Sequence, residues 1–282
     1  MRVLLVPNAA NPRSIEATRT AAAWLAARGI EVVLEAHDAE ACGLPEHGVP
    51  RSDARQADLA VALGGDGTML KAVHTIGSPD VPLLGVNLGR LGFLSGAESE
   101  HLEQALEAAL AGEARVERRG VLEASVVVGG REAGTFHALN EVFVGRSGVS
   151  RAVELEVAAN GVVLWRFVCD GVVLATPTGS TAYALSAGGP IVSPEVRGML
   201  IVPVAAHALS VRPVVVGPSD VVEVSCPNPA RAGACVTVDG DEIPCRRALE
   251  RVTVTAGSRE AALLKIDGED FYRVLATKLL ER

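Results

Sequence analysis

The sequence predicts an α/β domain followed by a β-sandwich-like domain. Three observations carry this: strands and helices alternate over the first third, short β-branched runs with turn signals take over after about residue 113, and helical spacing returns over Glu269–Arg282. A chain of 282 residues is more naturally built as two domains than as one. The expected division is 1–112, 113–265 and a C-terminal helical segment 266–282.

Val3–Val6 is a short apolar run, read as a strand. Ile15–Arg28 reads as a helix, because Ile15, Thr18, Ala22, Leu25 and Ala26 share one face and Gly29 follows as a stop. Glu31–Glu35 and Leu59–Leu63 read as strands, the latter ending abruptly at Gly64-Gly65. Met69–Ile76 reads as a helix, Pro82–Val86 as a strand and Leu102–Leu110 as a helix ending near Gly112. Such alternation predicts a parallel sheet with helices on both faces. Beyond it, Ala124–Val128, Val153–Ala158, Val162–Val168, Val172–Ala175, Val211–Val216, Val221–Val224 and Val252–Thr255 read as strands of an antiparallel sandwich.

Composition narrows the function. Apolar residues make up 49% and aromatics 3%, so the core is built from Val, Leu, Ile and Ala. A net charge of −8 argues against nucleic acid as a partner, although a small basic pocket for phosphates remains compatible with it. Lysine occurs only at Lys71, Lys265 and Lys278, which draws attention to Lys71 beside a glycine-rich loop. Cys42, Cys169, Cys226, Cys235 and Cys245 form no CxxC pair, so neither metal-ligand nor redox spacing is present. They read as small apolar residues in a reducing compartment, and a cytoplasmic location is expected. The apolar run at the N-terminus is too short for a signal peptide, and no stretch reaches the length of a membrane span.

Three segments carry chemistry. Leu63-Gly64-Gly65-Asp66-Gly67-Thr68 lies between a strand and a helix. Its glycines let a ligand approach the backbone, and the N–H groups of a helix start favour an anion such as a triphosphate. Asp66 would repel phosphate, which makes sense if it serves an attacking hydroxyl as general base. The alternative is a plain turn with Asp66 as the helix N-cap. The loop is not a Walker A motif. Asp170-Gly171-Val172-Val173-Leu174-Ala175-Thr176-Pro177-Thr178-Gly179-Ser180-Thr181-Ala182-Tyr183 runs from a strand through a turn into an apparent helix. Its hydroxyls suit ribose or phosphate and Tyr183 suits a base or nicotinamide; a polar turn with capping hydroxyls is the alternative. Asn140-Glu141 offers an amide matched to the edge of adenine and a carboxylate matched to vicinal ribose hydroxyls, with a surface turn as the alternative.

Taken together, GGDGT, LNE and TPTGSTAY, in this order and spacing, resemble the NAD kinase family. So do Asn87–Leu94, Ser186–Pro190, His207–Pro213, Val238-Asp239-Gly240, Phe271-Tyr272 and Lys278-Leu279. The resemblance covers residues 60 to 282, the first strand–helix unit matching only in kind. It implies a Rossmann-like N-terminal domain, a β-rich C-terminal domain and a final helix that returns to the first. It also implies transfer of a phosphoryl group from ATP or polyphosphate to the 2′-hydroxyl of the adenosine ribose of NAD.

Residue by residue, the resemblance makes Asp66 catalytic and Gly67 and Lys71 nucleotide contacts, with Gly64, Gly65 and Thr68 completing the phosphate loop. Asn140 and Glu141 hold adenosine and ribose; Arg151, Asp170, Thr181, Ala182, Tyr183 and Ser186 are further substrate contacts. A divalent ion, Mg²⁺ or Mn²⁺, is expected with the donor, with no protein side chain assigned to it. A homodimer or homotetramer is expected, and no membrane partner. Two positions depart from the family pattern: Val168 stands where a basic residue is common, with Arg166 as an uncertain substitute, and Asp241 stands where Gln is common. His207 reads either as a structural residue or as a phosphate or ribose contact. A lipid or sugar-phosphate kinase would share the glycine loop but lack LNE and TPTGSTAY. A silent NAD(P)-binding regulator would have no use for Asp66.

Overall fold

The computed structural model describes residues 1–78, 80–89, 92–148, 152–208, 210–229, 233–245, 247–266 and 271–280, with the side chain of Leu279 left out. The chain divides into two compact units: unit 1 is Met1–Arg118 with Glu260–Arg282, and unit 2 is Arg119–Arg259.

Unit 1 is β1 (Arg2–Pro7), α1 (Pro12–Ala26), β2 (Glu31–Glu35), α2 (Ala36–Cys42), β3 (Gly48–Val49), α3 (Arg51–Ala54), β4 (Leu59–Leu63), α4 (Asp66–Thr75), β5 (Leu83–Asn87), β6 (Ala97–Glu98) and α5 (Leu102–Ala111). The strands pair in parallel in the order β5-β4-β1-β2-β3. β4 and β5 are buried along their whole length, as strands of a parallel sheet covered on both faces must be. That burial explains why they read as unbroken apolar runs. The helix expected from Ile15 starts earlier, at Pro12. Asn11 caps it by accepting the N–H of Arg13 at 3.0 Å, and proline fits the first turn, where its missing N–H is no loss. The short α2, β3 and α3 had no signal of their own: each is too brief to show a period.

Unit 2 is an antiparallel sandwich. One sheet runs β14 (Val214–Val216), β13 (Met199–Val204), β12 (Gly171–Ala175), β9 (Glu141–Arg146), β16 (Ala234–Val238), β17 (Asp241–Glu242). Against it lie β10 (Val153–Ala159), β11 (Val162–Cys169), β15 (Val221–Ser225) and part of β18 (Leu249–Lys265), with β7 (Arg115–Val128) paired to β8 (Arg131–Ala138). Val144, Leu155, Val172, Ile201, Val224 and Val252 belong to the shared core. The other face of the β12–β13 sheet carries a second cluster, Val173, Ala175, Leu200 and Val202, covered by Ala184 of α6 (Tyr183–Ser186). The segment after β12 is therefore packed down rather than free. The expected strand over Val211–Val216 is shorter, starting after Pro213, which has no N–H to pair. β8, β9, β13 and β16 were not anticipated. Gly134 and Gly145 interrupt the first two, and β13 ends in Pro203-Val204.

The chain passes between the units inside β7 and β18, two long strands, and not through linkers. The final helix, α7 (Phe271–Leu280), belongs to unit 1. Its expected start at Glu269 and its end lie outside the described residues.

Candidate active site

In unit 1 the chemistry gathers at the C-terminal ends of β1, β2 and β4. Neighbours β2 and β4 flank β1 on opposite sides, so the winding of the sheet reverses there. Open α/β sheets leave a crevice at such a point. A cavity of about 430 Å³ occupies it, lined by Asn8 and Ala9 of the β1–α1 turn, Asp38 of α2, and Gly65, Gly67 and Lys71 of the loop and α4.

Gly65, not Asp66, is the N-cap of α4, and no side chain caps it. The capping alternative for Asp66 thus gives way to a different role. Its carboxylate accepts the backbone N–H groups of Phe93 and Leu94, each at 3.1 Å. A Cβ on Gly92 would stand 2.3 Å from Asp66 Oδ1, so glycine is needed there for the loop to close on the carboxylate. That loop is itself anchored. The Lys265 ammonium, 8% exposed, donates to the carbonyls of Leu94 and Ser95, and Phe93 stacks at 5.8 Å on Phe271 of α7. Half-buried Asp66 is therefore fixed between the exposed residues Gly65 and Gly67. Gly64 is buried, and its missing Cβ makes room for Thr68, whose Oγ1 would lie 2.2 Å from it.

Lys71 is not free to solvent. Its ammonium lies 2.6 and 2.7 Å from the two oxygens of Asp38. Sequence reading missed Asp38, since an acid in the first turn of a short helix carries no motif.

In unit 2 three segments converge. The Asp239 carboxylate accepts the N–H groups of Leu139 at 2.8 Å, Asn140 at 2.8 Å and Glu141 at 3.0 Å. The Asn140 carbonyl accepts the N–H of Thr176 at 2.8 Å, and Thr176 Oγ1 donates to the Leu139 carbonyl at 2.6 Å. A Cβ on Gly179 would sit 2.1 Å from the Asn140 carbonyl oxygen, so the turn lies directly on the LNE segment. Buried Arg119 supports it from behind, donating to Thr178 Oγ1 at 3.2 Å.

Glu141 thus opens β9, Leu139 and Asn140 form the bend before it with Leu139 buried and Asn140 half-buried, and TPTGS is a turn with a partner to hold. Glu141 is 9% exposed. Its Oε2 finds no hydrogen-bond partner among the described residues. Desolvation first, then the nearby Asp239 charge, raise its pKa to about 7, against a smaller lowering from the Tyr183 N–H.

Tyr183 is exposed, its ring edge-on to Phe143 at 5.6 Å. Thr181 and Ala182 are half-buried and Ser186 is exposed. Asp170 pairs with Arg146 at 2.8 Å. Arg166 pairs with Glu156 across the β10–β11 pair, and Arg146 is the cation that meets Asp170. Asp241 is exposed in β17. His207 is exposed and its backbone N–H bonds to the Val168 carbonyl. Ala205, just past β13, has φ +47, an uncommon conformation for a residue with a Cβ and one that clusters at functional sites. Arg151 lies outside the described residues. Among the described residues no group of three or more His, Cys, Asp or Glu could hold a metal ion.

The family model for the ATP-NAD kinase N-terminal domain matches residues 3–114, and that for the C-terminal domain matches residues 139–266. The chain is 38% identical over 280 residues to an NAD kinase of Desulforamulus reducens, covering 98% of this chain and 96% of that one. It is 40% identical over 260 residues to an NAD kinase of Ralstonia nicotianae, covering 92% and 85%. Among solved structures it is similar to yeast NADH kinase complexed with NADH, with a TM-score of 0.89, 27% identity and 99% and 87% of the two chains covered. It is also similar to an Archaeoglobus fulgidus NAD kinase in complex with ATP, with a TM-score of 0.76, 26% identity and 99% and 98% covered. With the Gly64–Thr68 loop, the LNE pair and the TPTGS turn built as described, this chain belongs to the NAD kinase family.

Proposed function

We propose that this chain phosphorylates the 2′-hydroxyl of the adenosine ribose of NAD with ATP, giving NADP, and that Asp66 is the general base. The observation that carries the base assignment is the Asp66 carboxylate, held by two backbone N–H groups at the first turn of the glycine-loop helix. A carboxylate fixed at a helix start is poor phosphate-binding design but suits a hydroxyl that must lose its proton as it attacks. Unit 1 supplies the donor site: the first amides of α4 have no acceptor within the helix and face anionic oxygens. Unit 2 supplies NAD recognition through Asn140, Glu141, Asp170 and Thr181–Ser186. The orphaned Glu141 Oε2 is matched to a ribose hydroxyl, which would give that buried oxygen its missing donor. Arg151 belongs to the same contact set by family position.

A divalent ion, Mg²⁺ or Mn²⁺, would neutralise charge on the transferring phosphoryl group. The donor's phosphate oxygens and water suffice as its ligands, so the fit requires no cage of side chains. Most of the rate gain then comes from positioning and charge neutralisation. Polyphosphate is the second donor to be tried, a homodimer or homotetramer the expected assembly, and the cytoplasm the expected location. All five cysteines are free, which suits a reducing compartment.

The test is NADP formation by purified protein with NAD, Mg²⁺ and either ATP or polyphosphate, repeated with Asn140→Ala and Glu141→Ala. Each substitution should weaken NAD binding by about 1–3 kcal/mol, because polar partners are left unpaired. No NADP with either donor would refute the activity, and an unchanged KM for NAD in both variants would remove the pair from the site.

A further inference from the structure

The cavity of unit 1 contains a charge pair to which the reaction scheme above gives no part. Asp38, in the first turn of α2, is 2% exposed. A carboxylate at that depth is unfavourable unless paired. Lys71 reaches it from α4, one turn beyond Gly67, pointing back toward the helix start as helical side chains do. The Lys71 side chain is 39% exposed and that of Asp38 only 3%, so the cation forms the cavity wall and the anion stands behind it. An ammonium has three protons. Two donate to Asp38, at 2.6 and 2.7 Å, and the third meets the Pro7 carbonyl only at 3.4 Å, a long contact.

We propose that Asp38 is a positioning residue for the phosphoryl donor: it pins the Lys71 ammonium between the Gly64–Thr68 loop and the β1–α1 turn, so that a donor phosphate oxygen takes the third proton in place of Pro7. The inference rests on the donor occupying this cavity. A lysine on a free four-carbon stem would have to be ordered on each binding event; one held from behind is already in place. Because the pair is neutral, it acts through a short hydrogen bond rather than a long-range field. The salt dependence of donor binding should therefore change little when the pair is removed.

The test is steady-state kinetics with ATP varied at saturating NAD. Asp38→Asn and Lys71→Met should each raise the KM for ATP about tenfold and leave the KM for NAD within about twofold. The double variant should match Lys71→Met alone, since Asp38 acts only through Lys71. An ATP KM within about twofold of wild type in Asp38→Asn would overturn the proposal, as would a double variant about tenfold worse than Lys71→Met. Should Lys71→Met, which leaves the buried Asp38 carboxylate unpaired, fail to fold, the double variant, which leaves no unpaired buried charge, takes its place: its ATP KM should match that of Asp38→Asn, and a value about tenfold worse would overturn the proposal. Gly65→Ala separates the two layers. Its added Cβ meets nothing within 4 Å, so it only fills the cavity. A raised ATP KM there with an unchanged one in Asp38→Asn sinks the positioning role alone; an unchanged KM in Gly65→Ala removes the donor from the cavity, and the role of Asp38 with it.

Discussion

Glu141 carries the largest tension of any carboxylate in unit 2. Burial and the Asp239 charge hold its pKa at about 7, above the ordinary value of 4.5. Between those two values the native state binds more protons at this site than the unfolded state, so its contribution to stability falls as pH rises through that window. Above it, the native protein carries an ionised, partly unpaired buried carboxylate. Glu141→Gln should therefore raise the thermal midpoint of the ligand-free protein at pH 8 and change it little at pH 5, while weakening NAD binding. Calorimetry at the two pH values checks this; equal shifts at both would show that the carboxyl is not strained. NAD hydroxyls favour the ionised form, so the KM for NAD should fall as pH rises through about 7. Asp239 is a different matter. It holds three N–H groups, and Asp239→Ala should cost several-fold in NAD affinity by loosening the LNE segment, read by calorimetric titration with NAD.

The element that decides the Asp66 geometry is the loop after β5. Gly92 admits the carboxylate, Phe93 and Leu94 bind it, and Lys265, at the end of β18, holds the loop from its carbonyl side. Lys265→Met should lower kcat by about tenfold or more while leaving both KM values near wild type, because the loop acts through the position of the base. A rise in KM with unchanged kcat would place the loop in binding instead. Much of this element was legible in the sequence: the Asn87–Leu94 stretch was picked out, as were the glycine loop and the strand–helix alternation around it. What the loop holds was not legible, because the contact joins residues 66 and 93 and no local pattern encodes it. The same limit hid Asp38 behind Lys71 and Arg146 beside Asp170, both pairs made across distant elements. It also made β9 invisible: a strand that opens on Glu141 looks turn-like until its burial is known.

At the scale of the whole molecule, each unit has its own core and its own share of the chemistry. An acidic protein of net charge −8 binds two anionic substrates through local donors, not through its overall field. ATP should slow amide exchange around residues 64–68 and NAD around residues 139–141 and 176–183, with each ligand raising the thermal midpoint. Exchange protection in the opposite units would reverse the assignment of substrates. The central claim, that Asp66 is the base of an NAD kinase, is tested most directly by Asp66→Asn, measured for NAD affinity by calorimetry and for NADP formation under saturating ATP, NAD and Mg²⁺. The expected result is an affinity within several-fold of wild type and a kcat lower by at least about 10²-fold, the lower end for loss of a general base. Turnover like that of the wild type, with NAD binding intact, would contradict it.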